Sequence, residues 1–110
     1  MSKIALIAED RISNSLLMDL KRATGKSLSA IRDHIQAQMP FLEAVLFQND
    51  HVEVARQLRA VVEIIGKAGV RFRVYELEPD EQFESAPIEE CEIDASVLEN
   101  ILSAADDQYL

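Results

Sequence analysis

The sequence predicts an α+β fold: a two-layer sandwich with helices on one face of a three-stranded sheet. Three observations predict it. Segments 3–8, 41–47 and 70–77 are apolar runs too short for core helices. The segments between them place apolar residues at helical spacing. The resulting order is β-α-α-β-α-β, and helices packed on one side of a sheet satisfy it.

Lys3 to Ala8 is rich in Ile and Leu and forms the first strand. Ile12, Leu16, Leu17 and Leu20 then recur at helical spacing. Lys21 and Arg22 suit the negative end of that helix, and Gly25 suits the left-handed residue that follows it. Ser27 can cap a second helix carrying Leu28, Ile31 and Ile35 on one face, and Pro40 closes it. Phe41 to Phe47 is the second strand. Asp50 with Glu53 resembles a capping box for a third helix marked by Val54, Leu58, Val61 and Ile65. Gly66 and Gly69 end that helix. Val70 to Leu77 alternates, with Val70, Phe72 and Val74 on one face and Arg71, Arg73 and Tyr75 on the other. Pro79 stops it.

The chain divides into an α+β domain, residues 1–78, and an acidic extension, residues 79–110. Net charge is −9 over 110 residues. All eleven Lys and Arg lie before residue 79 beside ten acids, giving +1; the extension holds ten acids and no base, giving −10. The extension has two apolar clusters. Ile88 and Ile93 form one. Val97, Leu98, Ile101 and Leu102 form the other, a short helix started by Asp94 or Ser96. The extension is expected to dock on the open sheet face. There Ile88 and Ile93 would bury, Glu89, Glu90 and Glu92 would meet Arg71 and Arg73, and the helix would pack at the sheet edge.

A hydrophobic fraction of 48% is that of a folded chain. No apolar run reaches the ~18 residues of a membrane span, and the first residues lack a signal-peptide pattern. The single cysteine, Cys91, excludes an internal disulfide framework. A cytoplasmic location is expected. So strong an acidic balance disfavours nucleic acid and favours a basic partner.

Gly25-Lys26-Ser27 matches the end of a phosphate-binding loop, but the glycine required five positions earlier is Leu20. These residues read instead as a helix–helix corner. Cys91 sits among carboxylates, which disfavour a thiolate nucleophile. His34 and His51 lie on different helices outside any zinc-ligand spacing. Glu89, Glu90, Glu92 and Asp94 lack the glycine and spacing of a calcium loop. Arg71, Arg73 and Tyr75 offer one aromatic for stacking nucleic acid, and pairing with the extension is the plainer reading. No enzymatic activity, cofactor or metal is expected.

"KRATGKSL" at the corner, Pro40 after the second helix and "GKAGVRFRV" at the third helix-to-strand turn resemble the C-terminal domain of the bacterial ribosomal stalk protein, over about residues 3 to 76. The Clp protease adaptor is similar in layout. In the stalk family the two helices flanking the corner bind translation GTPases. The resemblance implies that role for Lys21 and Arg32, with Asn14, Ser15 and Met18 at other matching positions.

Two functions follow. A small acidic chain without catalytic groups fits an immunity protein that neutralises a basic bacterial toxin, such as a contact-dependent nuclease. Its partner-binding residues are then Glu84, Glu89, Glu90, Glu92, Asp94 and Glu99. The alternative is a stalk-like or adaptor-like module that docks on a translation factor or protease machine through Lys21 and Arg32.

Overall fold

Local hydrogen bonding fixes the first helices. The computed structural model describes residues 2–46, 51–86 and 88–109, with side chains for 3–46, 52–86 and 89–103. After strand β1 (Ser2–Ala8), Ser13 caps helix α1 (Asn14–Thr24), its hydroxyl accepting from the Leu16 amide. Gly25 ends α1 at φ 73°, a left-handed conformation that favours glycine, and its N–H donates to the Lys21 carbonyl at 2.8 Å. Ser27 then caps helix α2 (Leu28–Gln36) by accepting from the Ala30 amide at 3.2 Å. Lys26 donates its Nζ to the Phe41 carbonyl at 3.3 Å. The Gly-Lys-Ser run is therefore a corner between two helices, with its lysine spent on the chain's own backbone.

Strand β2 (Leu42–Leu46), helix α3 (His51–Lys67) and strand β3 (Phe72–Leu77) follow. Phe47 and Asp50, assigned to the second strand and to a helix cap, lie outside the described residues. The extension adds helix α4 (Ile88–Cys91), strand β4 (Glu92–Ile93) and helix α5 (Ala95–Tyr109). The fold is α+β, and its sheet has four strands rather than three, in the order β2-β1-β3-β4 and antiparallel throughout. The fourth strand is two residues long, pairing Ile93 with Val74 and Glu92 with Tyr75. So short a segment has no alternation to read.

Alternation along β1 and β3 divides the interior. Ile4, Leu6, Ala8 and Val74 face the helices and join Leu17, Leu20, Ile31, Leu58, Val61 and Ile65 in the main core. Ala5, Ile7, Tyr75 and Leu77 face the other way. That second face is not open. Phe83, Ala86 and Cys91 pack against it, and Phe83 meets the Tyr75 ring edge-to-face at 5.4 Å and 73°. Buried Lys3 donates its Nζ to the Glu81 carbonyl and pairs with Glu43 at 3.2 Å. Residues 81–86 together with Cys91 thus form a strap across this face, and the Ile88 side chain, expected to bury here, lies outside the described residues.

The extension's last helix goes to the opposite layer. Leu98 and Leu102 are each 1% exposed within the main core, Ile93 and Ile101 pack beside them, and α5 lies against α3. Burying two leucines contributes about 1.5–3 kcal/mol each. Aliphatic side chains therefore hold the extension in place.

Candidate functional site

The expected pairing of the extension's acids with the sheet arginines does not occur. The Arg71 guanidinium reaches Asp10 at 2.9 Å, and Asp10 also accepts from the Arg71 amide at 2.9 Å. Arg73 pairs with Glu9. The reason is the β1–β3 register. It sets Ala8 opposite Phe72, so the two acids that follow β1 arrive beside the residues at the start of β3. These contacts favour the charged forms: Arg71 holds the Asp10 carboxyl below the ordinary carboxylate value, and the Glu9 contact raises Arg73. Tyr75 is 4% exposed beneath the strap, so its ring offers no stacking surface.

The basic side chains on this face are thereby taken by acids of residues 1–78. The extension's acids remain outside. Glu84 on the strap, Glu89 and Glu90 on α4, and Glu92 on β4 are exposed, and no ion pair is recorded for them among the described residues. Asp94 is exposed but not idle. It caps α5, accepting from the Val97 amide at 2.9 Å and the Ser96 hydroxyl at 2.6 Å, and those bonds lower its pKa. Glu99 lies 3.9 Å from Arg59 across the α3–α5 contact.

Three of the six acids are brought together. Glu89, Glu92 and Asp94 line one groove of about 650 Å³ at the β4 edge, over Phe72 and Ile93, with Glu9, Arg71 and Arg73 across from them. Glu84 and Glu99 do not line it, and neither do Lys21 and Arg32. Lys21 and Arg32 are exposed on α1 and α2, in the helical layer. Sequence reasoning missed Glu9 and Asp10, which settle where the arginines point, and Phe83, which closes the second face. The signal for the first two was their position directly after a strand that pairs with β3.

The Cys91 thiol is pushed up by burial against the strap-side cluster and by Glu81, Glu90 and Glu76, which opposes a nucleophilic thiolate. His34 places Nδ1 2.7 Å from the Ala30 carbonyl of its own helix, and the His51 side chain lies outside the described residues. Among the described residues, no three His, Cys, Asp or Glu side chains group to hold a metal ion, and no helix is long and apolar enough to cross a membrane. Comparison with family models, with curated proteins and with solved structures found no match to this chain.

Proposed function

We propose that this chain is a non-enzymatic acidic binding protein that neutralises a basic protein partner, in the manner of an immunity protein acting on a bacterial toxin such as a nuclease. The observation that carries the reading is the division of labour among its acids. Glu9, Asp10 and Glu43 neutralise the bases around the sheet, so Glu84, Glu89, Glu90 and Glu92 are left exposed and unspent. Apolar contacts hold the extension that carries them, Phe83, Ala86 and Cys91 on the strap and Leu98 and Leu102 on α5. Exposed like charges raised on a rigid scaffold steer a basic partner and fix its orientation.

The test is capture of a partner by the full chain, followed by cross-link mapping and a binding comparison. The expected partner is basic, with cross-links to residues 84–99. Glu89→Gln, Glu90→Gln and Glu92→Gln combined should weaken binding at least tenfold, the scale of electrostatic steering. Lys21→Ala with Arg32→Ala should leave it unchanged. The reverse pattern overturns the proposal and supports docking through the helical pair. Toxicity of the captured partner, relieved by co-expression of this chain, tests the immunity role itself.

A further inference from the structure

The two edges of the sheet are guarded very differently. An edge strand presents unpaired N–H and C=O groups, and natural proteins blunt it by shortening it, charging it or covering it. The β4 edge is blunted: it is two residues long and carries Glu92, with Glu89, Glu90 and Asp94 beside it. Among the described residues, the β2 edge is less guarded. It runs five residues, "LEAVL", and pairs only with β1 among the described residues. Its one charge, Glu43, is tied back to Lys3 at 3.2 Å.

Register identifies the free backbone groups. The Glu9 amide donates to the Arg71 carbonyl, so odd-numbered residues of β1 turn their backbone groups toward β3. Even-numbered residues then serve β2, where Leu6, Ile4 and Ser2 stand opposite Leu42, Ala44 and Leu46. Glu43 and Val45 are left with N–H and C=O directed outward. Lys26 already occupies the Phe41 carbonyl.

We infer that the β2 edge pairs with the β2 edge of a second copy of this chain, antiparallel about a two-fold axis at Ala44. The strand is self-complementary in that register. Glu43 of each copy faces Val45 of the other, and these two pairs exchange four backbone hydrogen bonds in a closed, isologous contact. Ala44 crosses its own copy with only a methyl group, so nothing bulky separates the backbones. Glu43 is not opposed by a second Glu43, and each keeps its own lysine.

Charge distribution selects a second copy as occupant. Of the extension's acids, Glu89, Glu90, Glu92 and Asp94 lie on or beside β4, the opposite edge, while residues 1–78 sum to +1. Joining two β2 strands makes an eight-stranded sheet with the two β4 strands seven spacings apart. That is about 34 Å at ~4.8 Å per strand, well beyond a screening length of ~8 Å. Two acidic chains can therefore meet at this edge with the Glu89, Glu90, Glu92 and Asp94 clusters at opposite ends of the dimer.

The test is sedimentation of the whole chain from ~1 to ~200 µM, with hydrogen exchange at both extremes, a range in which dimers of modest affinity form and dissociate. A dimer is expected, with the Glu43 and Val45 amides exchanging slowly only at the high concentration. Val45→Glu, which sets a carboxylate directly opposite Glu43 of the other copy, should require at least about tenfold higher concentration to dimerise. Val45→Pro, which deletes an outward amide and none of those serving β1, should do the same. Circular dichroism checks that each variant folds. A chain that stays monomeric at ~200 µM overturns the inference, as does a dimer that both folded variants form as readily as the wild type.

Discussion

The two faces of the sheet are built on different scales. The helical face gathers residues from β1, β2, β3, α1, α2, α3 and α5 into one core that includes Phe41, Leu58 and Leu98. The strap face, among the described residues, buries four apolar residues, Ala5, Ile7, Tyr75 and Leu77, beside Lys3. The strap is pinned there by Phe83, Ala86, Cys91 and the Lys3 contact with the Glu81 carbonyl. The extension serves both faces. Its helix α5 completes the large core, and its first part covers the small one. The difference teaches where the folding free energy resides. Most of it lies in the large helical core, and on both faces the extension is held by apolar side chains, which leaves Glu84, Glu89, Glu90 and Glu92 exposed on the same segment.

The sharpest way to break this comparison is to attack the extension's leucines. Leu98→Ala should cost about 2–5 kcal/mol of global stability, measured by denaturant unfolding, because it opens a cavity in the main core. A cost near zero would show that α5 is an appendage. Phe83→Ala should cost less, about 1–2 kcal/mol, from the lost ring pair and half-buried area. Its effect should be local, with faster amide exchange in residues 81–91 and β2 unchanged. A global loss as large as that of Leu98→Ala would erase the distinction between the faces.

Acid should loosen the contacts made by carboxylates of lowered pKa. Asp10 and Asp94 are both held below the ordinary value of 3.8, Asp10 by Arg71 and Asp94 by Ser96 and the Val97 amide. A depressed folded-state pKa stabilises the fold above the unfolded value, and that stability is lost as pH falls through the folded one. The denaturation midpoint should therefore change little on account of these groups above pH ~5 and fall below pH ~4. Asp10→Asn should flatten part of that acid limb. The smallest effect belongs to the combined Glu89→Gln, Glu90→Gln and Glu92→Gln variant. Each exposed substitution should move stability by no more than about 0.5 kcal/mol, seen in the same denaturant titration.

What the sequence made legible was local or periodic. The Gly25–Ser27 corner was readable because the Gly25 and Ser27 caps act within one turn of their own positions. The β3 alternation was readable because a half-buried strand repeats every two residues, and Phe72 and Val74 do face the helices. The Asp94 cap was one of two starts read for α5, and its hydrogen bonds to Val97 and Ser96 select it. What escaped depended on distant segments. Glu9 and Asp10 reach their arginines across more than 60 residues, through a strand pairing that single-residue preferences do not encode. Strand β4 has too few residues to show a period. The strap's anchor, Phe83 on Tyr75, joins segments that neither periodicity nor charge connects in advance. The candidate site was legible as a list of acids, and its grouping was not. Glu89, Glu92 and Asp94 share a groove only because β4 pairs with β3, and Glu99 lies apart on α5.

The central proposal is that Glu89, Glu90 and Glu92 serve association rather than folding. The most direct test is the association rate of the captured partner with the full chain, in stopped flow, between ~0.05 and ~0.5 M salt. The account predicts a fall of roughly tenfold or more for the wild type, a slow and nearly salt-independent rate for the combined Glu89, Glu90 and Glu92 variant, and unfolding curves that coincide. An association rate indifferent both to salt and to removal of these three charges would contradict it.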